Sequence, residues 1–81
     1  MTDAAIKASI LNGLAAIAPE ADLAALDPKA NLRETLDLDS FDFLRFLVGL
    51  SETLGVEVPE ADYAKLGTLQ EMIAYLAKTK G

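Results

Sequence analysis

Ser40 is the residue whose type and position best suit covalent chemistry. It follows Asp39 and a long irregular stretch, and it opens the most apolar helical segment. The other serines, Ser9 and Ser51, fall inside helical patterns, where a hydroxyl tends to hydrogen-bond to its own backbone. Taken alone, the tripeptide Asp39-Ser40-Phe41 favours a simpler interpretation of Ser40 as an N-cap, because Ser and Asp are preferred at helix starts.

The residue types give no support for catalysis by the chain itself. With no Cys and no His, the chain lacks disulfides, a thiol nucleophile, an imidazole and the usual ligands of a zinc site. Asp37 and Asp39 are two residues apart, but a third spaced oxygen ligand and the EF-hand glycine pattern are missing. We therefore expect a non-catalytic protein without a metal site.

The composition predicts one small globular domain over residues 1–81, with 52% hydrophobic and 25% charged residues. Seven basic residues against 13 acidic ones give a net charge of -6. This charge repels nucleic acid and anionic lipid, and it favours partners that have basic surfaces. The N-terminus does not resemble a signal peptide, and the longest apolar run is too short to span a bilayer. We expect a cytoplasmic, free-standing monomer that does not insert stably into membranes.

The elements that position Ser40 are predicted to be helical. A first helix begins at Thr2 or Asp3 and ends before Pro19, and residues 20–38 form a long loop with a short helical turn near residues 22–26. A second helix runs over about residues 40–54. Its apolar stripe consists of Phe43, Phe46, Leu47, Leu50 and Leu54, widened by Phe41, Leu44 and Val48.

The C-terminal third of the chain predicts two more helices. Gly55 suits a left-handed C-cap, and Pro59 fits the first position of a short helix through about Lys65. Thr68 and Glu71 form a capping box that opens the last helix, with Leu69, Met72, Ile73 and Leu76 expected to be buried. The predicted fold is all-α: a small antiparallel four-helix bundle of three main helices and a short third one, with a long loop between helices 1 and 2.

The run Leu36-Asp37-Leu38-Asp39-Ser40-Phe41-Asp42 resembles the attachment motif of acyl carrier proteins, and the resemblance extends over essentially the whole chain. It implies that the serine matching Ser40 receives 4′-phosphopantetheine from coenzyme A. A phosphopantetheinyl transferase forms the phosphodiester, and the Asp matching Asp39 lies beside the Mg²⁺ site of that transferase. The terminal thiol of the arm carries acyl groups as thioesters. An anion at the first turn of a helix is also physically favourable.

Two departures from the family pattern bear on partners. Phe41 replaces the usual Leu, and Arg45 interrupts the row of acids in the second helix, of which Asp42 and Glu52 remain. We take these four residues as candidates for partner recognition. The partners that the resemblance implies, besides the transferase, are acyl-activating, synthase or acyltransferase enzymes with basic docking patches. The departures favour a carrier for a specialised lipid or secondary-metabolite pathway over general fatty acid synthesis.

Two other functions stay open at the level of sequence. An aminoacyl or peptidyl carrier shares the fold and the serine but loads amino acids. A helical adaptor would use Ser40 only as an N-cap and would bind a partner through the wide apolar stripe of the second helix.

Overall fold

The computed structural model describes residues 2–80, and the side chains of residues 2–79. Its elements are α1 (Asp3–Ile17), a first 3₁₀ turn (Leu23–Ala25), α2 (Leu32–Thr35), α3 (Ser40–Leu54), a second 3₁₀ helix (Glu60–Leu66) and α4 (Leu69–Lys80). Within the described residues there is no strand. The all-α bundle of three main helices and a short third one is confirmed; α2 is an addition that the sequence pattern did not predict.

Helix α1 begins and ends for local reasons. The side chain of Thr2 accepts a hydrogen bond from the Ala5 N–H at 3.1 Å, so Thr2 rather than Asp3 is the N-cap. Ala18 is the C-cap, as expected for the residue before a proline. One face of α1 is fully buried and packs against α3 and α4. That face determines where the helix carrying Ser40 lies.

The long loop between α1 and α3 is fastened to the rest of the bundle. Asn31 caps α2 by accepting a hydrogen bond from the Glu34 N–H at 2.9 Å. Leu32 is fully buried, and its N–H donates to the Gly67 carbonyl at 2.9 Å. The loop therefore has a fixed path past the second 3₁₀ helix before it reaches Ser40.

The core is apolar throughout the described residues, with no buried polar or charged side chain. Its members come from every main helix and from the loop: Ile6, Ile10, Leu14, Leu32, Leu38, Phe43, Phe46, Leu47, Leu50, Leu54, Leu66, Leu69, Met72 and Leu76. The predicted stripe of α3 is thus core, whereas Ile73, which we expected to be buried, is only half-buried. Close packing between α1 and α3 depends on Gly13, since a Cβ there would lie 2.8 Å from Cε1 of Phe46.

The C-terminal elements begin and end close to the predicted residues. Gly55 ends α3 in the left-handed conformation, with φ of 67°. Pro59 is the N-cap of the second 3₁₀ helix and not its first residue as predicted, and the helix extends one residue beyond the predicted Lys65. At the start of α4, Oγ1 of Thr68 accepts a hydrogen bond from the Glu71 N–H at 3.1 Å and donates one to Oε1 of Glu71 at 3.0 Å.

Candidate functional site

Asp39 and Ser40 have different roles at the start of α3. Asp39 is the N-cap, and its Oδ1 accepts a hydrogen bond from the Asp42 N–H at 2.7 Å. Ser40 is the first helical residue, it is exposed, and its hydroxyl makes no hydrogen bond to residues 2–80. The interpretation of Ser40 as the N-cap is therefore wrong, because the preceding carboxylate already caps the helix. The Ser40 hydroxyl is left available for chemistry.

The other two serines are placed less favourably. Oγ of Ser51 donates to the Val48 carbonyl at 2.9 Å within α3, as expected for a serine inside a helix. Ser9 is half-buried on α1, where it lines a cleft between α1 and α3. Ser40 is thus the exposed serine of the three, and it is the one at a helix start.

The turn that leads into α3 is a tight reversal. Asp37 adopts a positive φ of 53°, which is uncommon for a residue with a side chain but is tolerated by Asp. The Leu38 N–H donates to the Arg33 carbonyl at 2.8 Å, and the Leu38 side chain is buried in the core. These contacts hold the backbone in place just before the Asp39 cap.

A cleft of about 330 Å³ lies beside Ser40. Its walls come from α3, from the second 3₁₀ helix and from the segment around α2, and its lining residues are Asn31, Arg33, Ser40, Phe43, Leu44, Leu47, Tyr63, Ala64 and Gly67. Asn31, Arg33 and Tyr63 were not predicted to be site residues, because no motif marks them. Tyr63 reaches the cleft from the second 3₁₀ helix, and Asn31 and Arg33 reach it from the segment around α2.

The 3₁₀ wall of the cleft is fastened to α4 by polar contacts. The Tyr75 hydroxyl donates to Oδ2 of Asp62 at 2.6 Å, and Nζ of Lys65 lies 3.3 Å from Oδ1 of the same carboxylate. The hydrogen bond from Tyr75, and then the contact with Lys65, hold the pKa of Asp62 below its ordinary value. The same hydrogen bond raises the pKa of Tyr75. This contact pairs two elements that the sequence pattern left unrelated.

Three apolar side chains of α3 are exposed in a row that begins next to Ser40. Phe41 is 64% exposed, Leu44 40% and Val48 43%, while the neighbouring Phe43 is only 8% exposed. Cζ of Arg45 lies 5.8 Å from the centroid of the Phe41 ring, within the range of a cation–π interaction. These residues give α3 an exposed apolar surface with a cation beside it.

The four candidate recognition residues do not form one cluster. Phe41 and Arg45 are in contact, and Arg45 shares the lining of the α1–α3 cleft with Asp42. Glu52 is exposed farther along α3 and lines neither of these clefts. Residues 2–80 hold no group of three or more His, Cys, Asp or Glu side chains arranged for a metal ion. No helix in the same range has the length and apolar character that crossing a membrane requires.

Comparison with known proteins decides the family. Residues 9–76 match the family model described as the phosphopantetheine attachment site. The chain belongs to the acyl carrier protein family. It is 31% identical over 75 residues to an acyl carrier protein of Myxococcus xanthus, covering 89% of this chain and 95% of that protein. It is also 32% identical over 57 residues to the acyl carrier protein of Rubrobacter xylanophilus, covering 70% of each chain.

Membership identifies the prosthetic group, which is a covalently attached 4′-phosphopantetheine. The residues present fit such a group. An exposed hydroxyl lies at the first turn of a 15-residue helix, where unpaired N–H groups and the helix dipole favour a phosphodiester anion. The cleft beside that hydroxyl has room for part of the arm or its cargo. As an acyl carrier protein, the chain belongs to a family of non-catalytic carriers.

Proposed function

We infer that the chain carries acyl groups as thioesters on a 4′-phosphopantetheine arm attached to Ser40. Residues 1–81 act as a single acyl-carrier domain, and the pathway it serves makes a specialised lipid or secondary metabolite. The observation that carries this proposal is the free, exposed Ser40 hydroxyl at the start of a helix already capped by Asp39. A transferase can reach this oxygen without unfolding a helix.

The chain's own residues supply two things to the attachment reaction. Oγ of Ser40 bonds to the phosphorus of coenzyme A that bears pantetheine; the pyrophosphate bond breaks, the adenosine bisphosphate leaves, and the serine proton is released. Asp39 uses Oδ1 for capping, which leaves Oδ2 without a hydrogen-bond partner in residues 2–80 and free to face the Mg²⁺ of the transferase. The arm, once attached, supplies the terminal thiol that holds the acyl group.

Recognition by partner enzymes is assigned to the exposed surface of α3. The apolar side chain of Phe41 adjoins the attachment serine, and Asp42, Arg45 and Glu52 supply charge along the same helix. With a net charge of -6, the chain suits transferases, acyl-activating enzymes, synthases and acyltransferases that have basic docking patches. We expect it to act in the cytoplasm as a monomer and without nucleic-acid partners.

The departures at Phe41 and Arg45 support a specialised pathway. The guanidinium lies over the aromatic ring, so these two changes from the family pattern form one joint surface. Arg45→Glu should lower the melting temperature by no more than about 2–8 °C, because an exposed cation–π contact contributes only about 0.5–1 kcal/mol and each kcal/mol corresponds to about 4–8 °C in a domain this small. It should weaken binding to the cognate partner and improve acceptance by enzymes of conventional fatty acid synthesis.

The matched control for Arg45→Glu is Lys7→Glu, which makes the same charge change at an exposed position on α1. Association rates and their salt dependence with both sets of enzymes are the measurement. If both substitutions have equal effects on both sets of enzymes, α3 is not the recognition surface.

The function itself is tested by incubation with coenzyme A and a broad-specificity phosphopantetheinyl transferase, followed by intact mass measurement. We expect one adduct per chain, which then accepts acyl groups from an acyl-activating enzyme. An adduct that accepts amino acids and no acyl groups would indicate an aminoacyl or peptidyl carrier. The absence of any adduct would instead favour an adaptor that binds through its exposed apolar row.

A further inference from the structure

Arg33 is the one charged residue among those that line the cleft beside Ser40. The other polar lining residues, Asn31, Ser40 and Tyr63, are neutral, and the rest of the lining is apolar or glycine. The chain as a whole carries a net charge of -6. The cleft therefore has the opposite sign of charge to the protein around it, which favours an anion.

The guanidinium of Arg33 has no anionic partner in the described part of the chain. Among the side chains of residues 2–79, Lys65 and Asp62 form the one ion pair, and the Arg33 side chain donates no hydrogen bond. Glu34 directly follows Arg33 in the chain, but the two side chains do not form an ion pair. The five N–H donors of the guanidinium are thus free for a ligand.

The backbone of Arg33 is held more firmly than that of an ordinary surface residue. The Arg33 carbonyl accepts from the Leu38 N–H at 2.8 Å, and the N–H of the preceding Leu32 donates to the Gly67 carbonyl at 2.9 Å. Leu32 is fully buried, and Leu38 is also part of the core. A backbone anchored in this way loses little further conformational freedom when its side chain binds a ligand.

A negative group on Ser40 lies at the positive end of α3 but also among carboxylates, so a nearby cation would stabilise it further. Asp39 directly precedes the serine, Asp42 lies in the first turn of α3, and Asp37 is three residues before it. Carboxylates this close disfavour a further anion. The Asp42 N–H is already bonded to Asp39 and is unavailable. A guanidinium compensates this repulsion best, because its planar fork can bind two oxygens of a phosphate or carboxylate at once.

We propose that Arg33 is the anion-binding residue of this site, pairing with an anionic oxygen of the group carried on Ser40. This inference rests on the proposed attachment at Ser40. The oxygen can come from the phosphodiester, which every loaded form contains, or from the free carboxylate of a dicarboxylic acyl cargo. In either case Arg33 is a positioning residue that holds the arm over the cleft.

The experiment compares wild type, Arg33→Gln and the control Lys7→Gln. The control makes the same change in net charge on α1, which contributes no residue to the cleft. Each protein is prepared without the arm, with the free-thiol arm, with an acetyl-arm and with a succinyl-arm, and intact mass confirms each loading. The melting temperature of every form is measured at low salt and at about 1 M salt, where the Debye length is about 3 Å.

For each protein, the quantity compared is the melting temperature of the loaded form minus that of the arm-free form. We expect this difference to be lower in Arg33→Gln than in Lys7→Gln by on the order of 3 °C. High salt should remove most of this difference. In wild type, the Nε–H resonance of Arg33 should also shift on loading. Arg33→Lys should restore only part of the effect, because an ammonium lacks the bidentate fork.

The loaded forms separate the two sources of the anion. A loss in all three loaded forms identifies the phosphodiester, and a loss confined to the succinyl form identifies the cargo carboxylate; both support the proposal. The proposal would be overturned if loading shifted the melting temperature equally in wild type, Arg33→Gln and Lys7→Gln and left the Arg33 resonance unmoved. The carrier function would remain intact. A chain that accepts no arm at all would overturn the proposed function and this inference together.

Discussion

Asp39 caps α3 and Ser40 carries the free hydroxyl, so we predict that substitutions at these neighbouring residues affect different properties: stability at Asp39 and covalent modification at Ser40. Asp39→Ala removes the oxygen that caps α3, whereas Ser40→Ala removes a hydroxyl without a hydrogen-bond partner in residues 2–80. Asp39→Asn keeps a capping oxygen and removes only the charge. We therefore expect loss of stability from the first variant, loss of modification from the second, and slower modification from the third.

The magnitudes follow from the contacts. Loss of an N-cap costs about 0.5–2 kcal/mol, and each kcal/mol moves the melting temperature of a domain this small by about 4–8 °C. Asp39→Ala, which breaks a 2.7 Å hydrogen bond, should lower the melting temperature by roughly 4–8 °C at the typical cost of about 1 kcal/mol for a lost N-cap. Ser40→Ala should stay within about 0.5 kcal/mol of wild type, because it is a surface substitution to a good helix former.

The assay is thermal unfolding of the unmodified proteins, followed by transferase kinetics on the same samples. Asp39→Asn should retain most of the wild-type melting temperature, because Asn caps helices about as well as Asp. Its modification rate should fall, because the Asp39 carboxylate proposed to face the Mg²⁺ of the transferase has lost its charge. A Ser40→Ala protein that melts as low as Asp39→Ala would refute the assignment of the cap, and an Asp39→Asn protein modified at the wild-type rate would refute a role for the charge.

Four further predictions concern packing at two glycines, pH and cargo. Gly49→Ala should raise the melting temperature by a few degrees, because Ala gains about 0.5–1 kcal/mol over Gly inside a helix and a Cβ at this position meets nothing within 4 Å. Gly13→Ala should lower it, because the added Cβ would lie 2.8 Å from the buried ring of Phe46 and overpacking costs about 1–3 kcal/mol. Tyr75→Phe should reduce stability near neutral pH and flatten its fall in acid. The pKa of Asp62 is lowered in the folded protein, so its contribution is present above the unfolded value of 3.8 and is lost as pH falls through the folded pKa. In a series of acyl-loaded proteins, each methylene buried in the cleft should add up to about 0.8 kcal/mol, so the melting temperature should rise along the series until the cleft is full.

Each of these predictions has a clear contrary result. Equal melting shifts for the two glycine variants would show that α1 and α3 are not in close contact at Gly13. If Tyr75→Phe lost stability with falling pH in the same way as wild type, the phenol would not influence Asp62. Melting temperatures that stay flat along the acyl series would count against burial of the cargo and would favour an aminoacyl carrier or docking of the cargo on a partner.

The parts of the fold that depend on local chemistry were predictable. Helix α3 begins and ends at the expected residues because an Asp-Ser start, a continuous apolar stripe and Gly55 all act within a few positions of the chain. The capping of α4 by Thr68 is confirmed for the same reason, although Glu71 accepts from the Thr68 hydroxyl and not from its N–H. Such signals need no knowledge of distant residues.

Features that depend on distant contacts were not predictable. Helix α2 has only four residues, and it is stabilised by burial of Leu32 and by a hydrogen bond to Gly67, which lies far along the chain. The pairing of Tyr75 with Asp62 also joins separate elements. The spacing of apolar residues along the sequence does not indicate contacts between residues that are far apart in the chain.

The candidate site was predictable only in part. The exposed serine at a helix start follows from its neighbours and from the family motif. The cap was assigned to the wrong residue in the simpler interpretation, because Asp and Ser are both good caps and the sequence alone does not say which one is the first helical residue. The cleft was missed because Arg33 and Tyr63 approach Ser40 only through the folded path of the loop and the second 3₁₀ helix.

The most direct test of the central claim is the location of the arm. The protein is loaded from coenzyme A by a phosphopantetheinyl transferase, digested, and fragmented by tandem mass spectrometry. We predict that the whole added mass resides on Ser40 and that the Ser40→Ala protein gains none. An arm found on Ser9 or Ser51, or on the Ser40→Ala protein, would contradict the account.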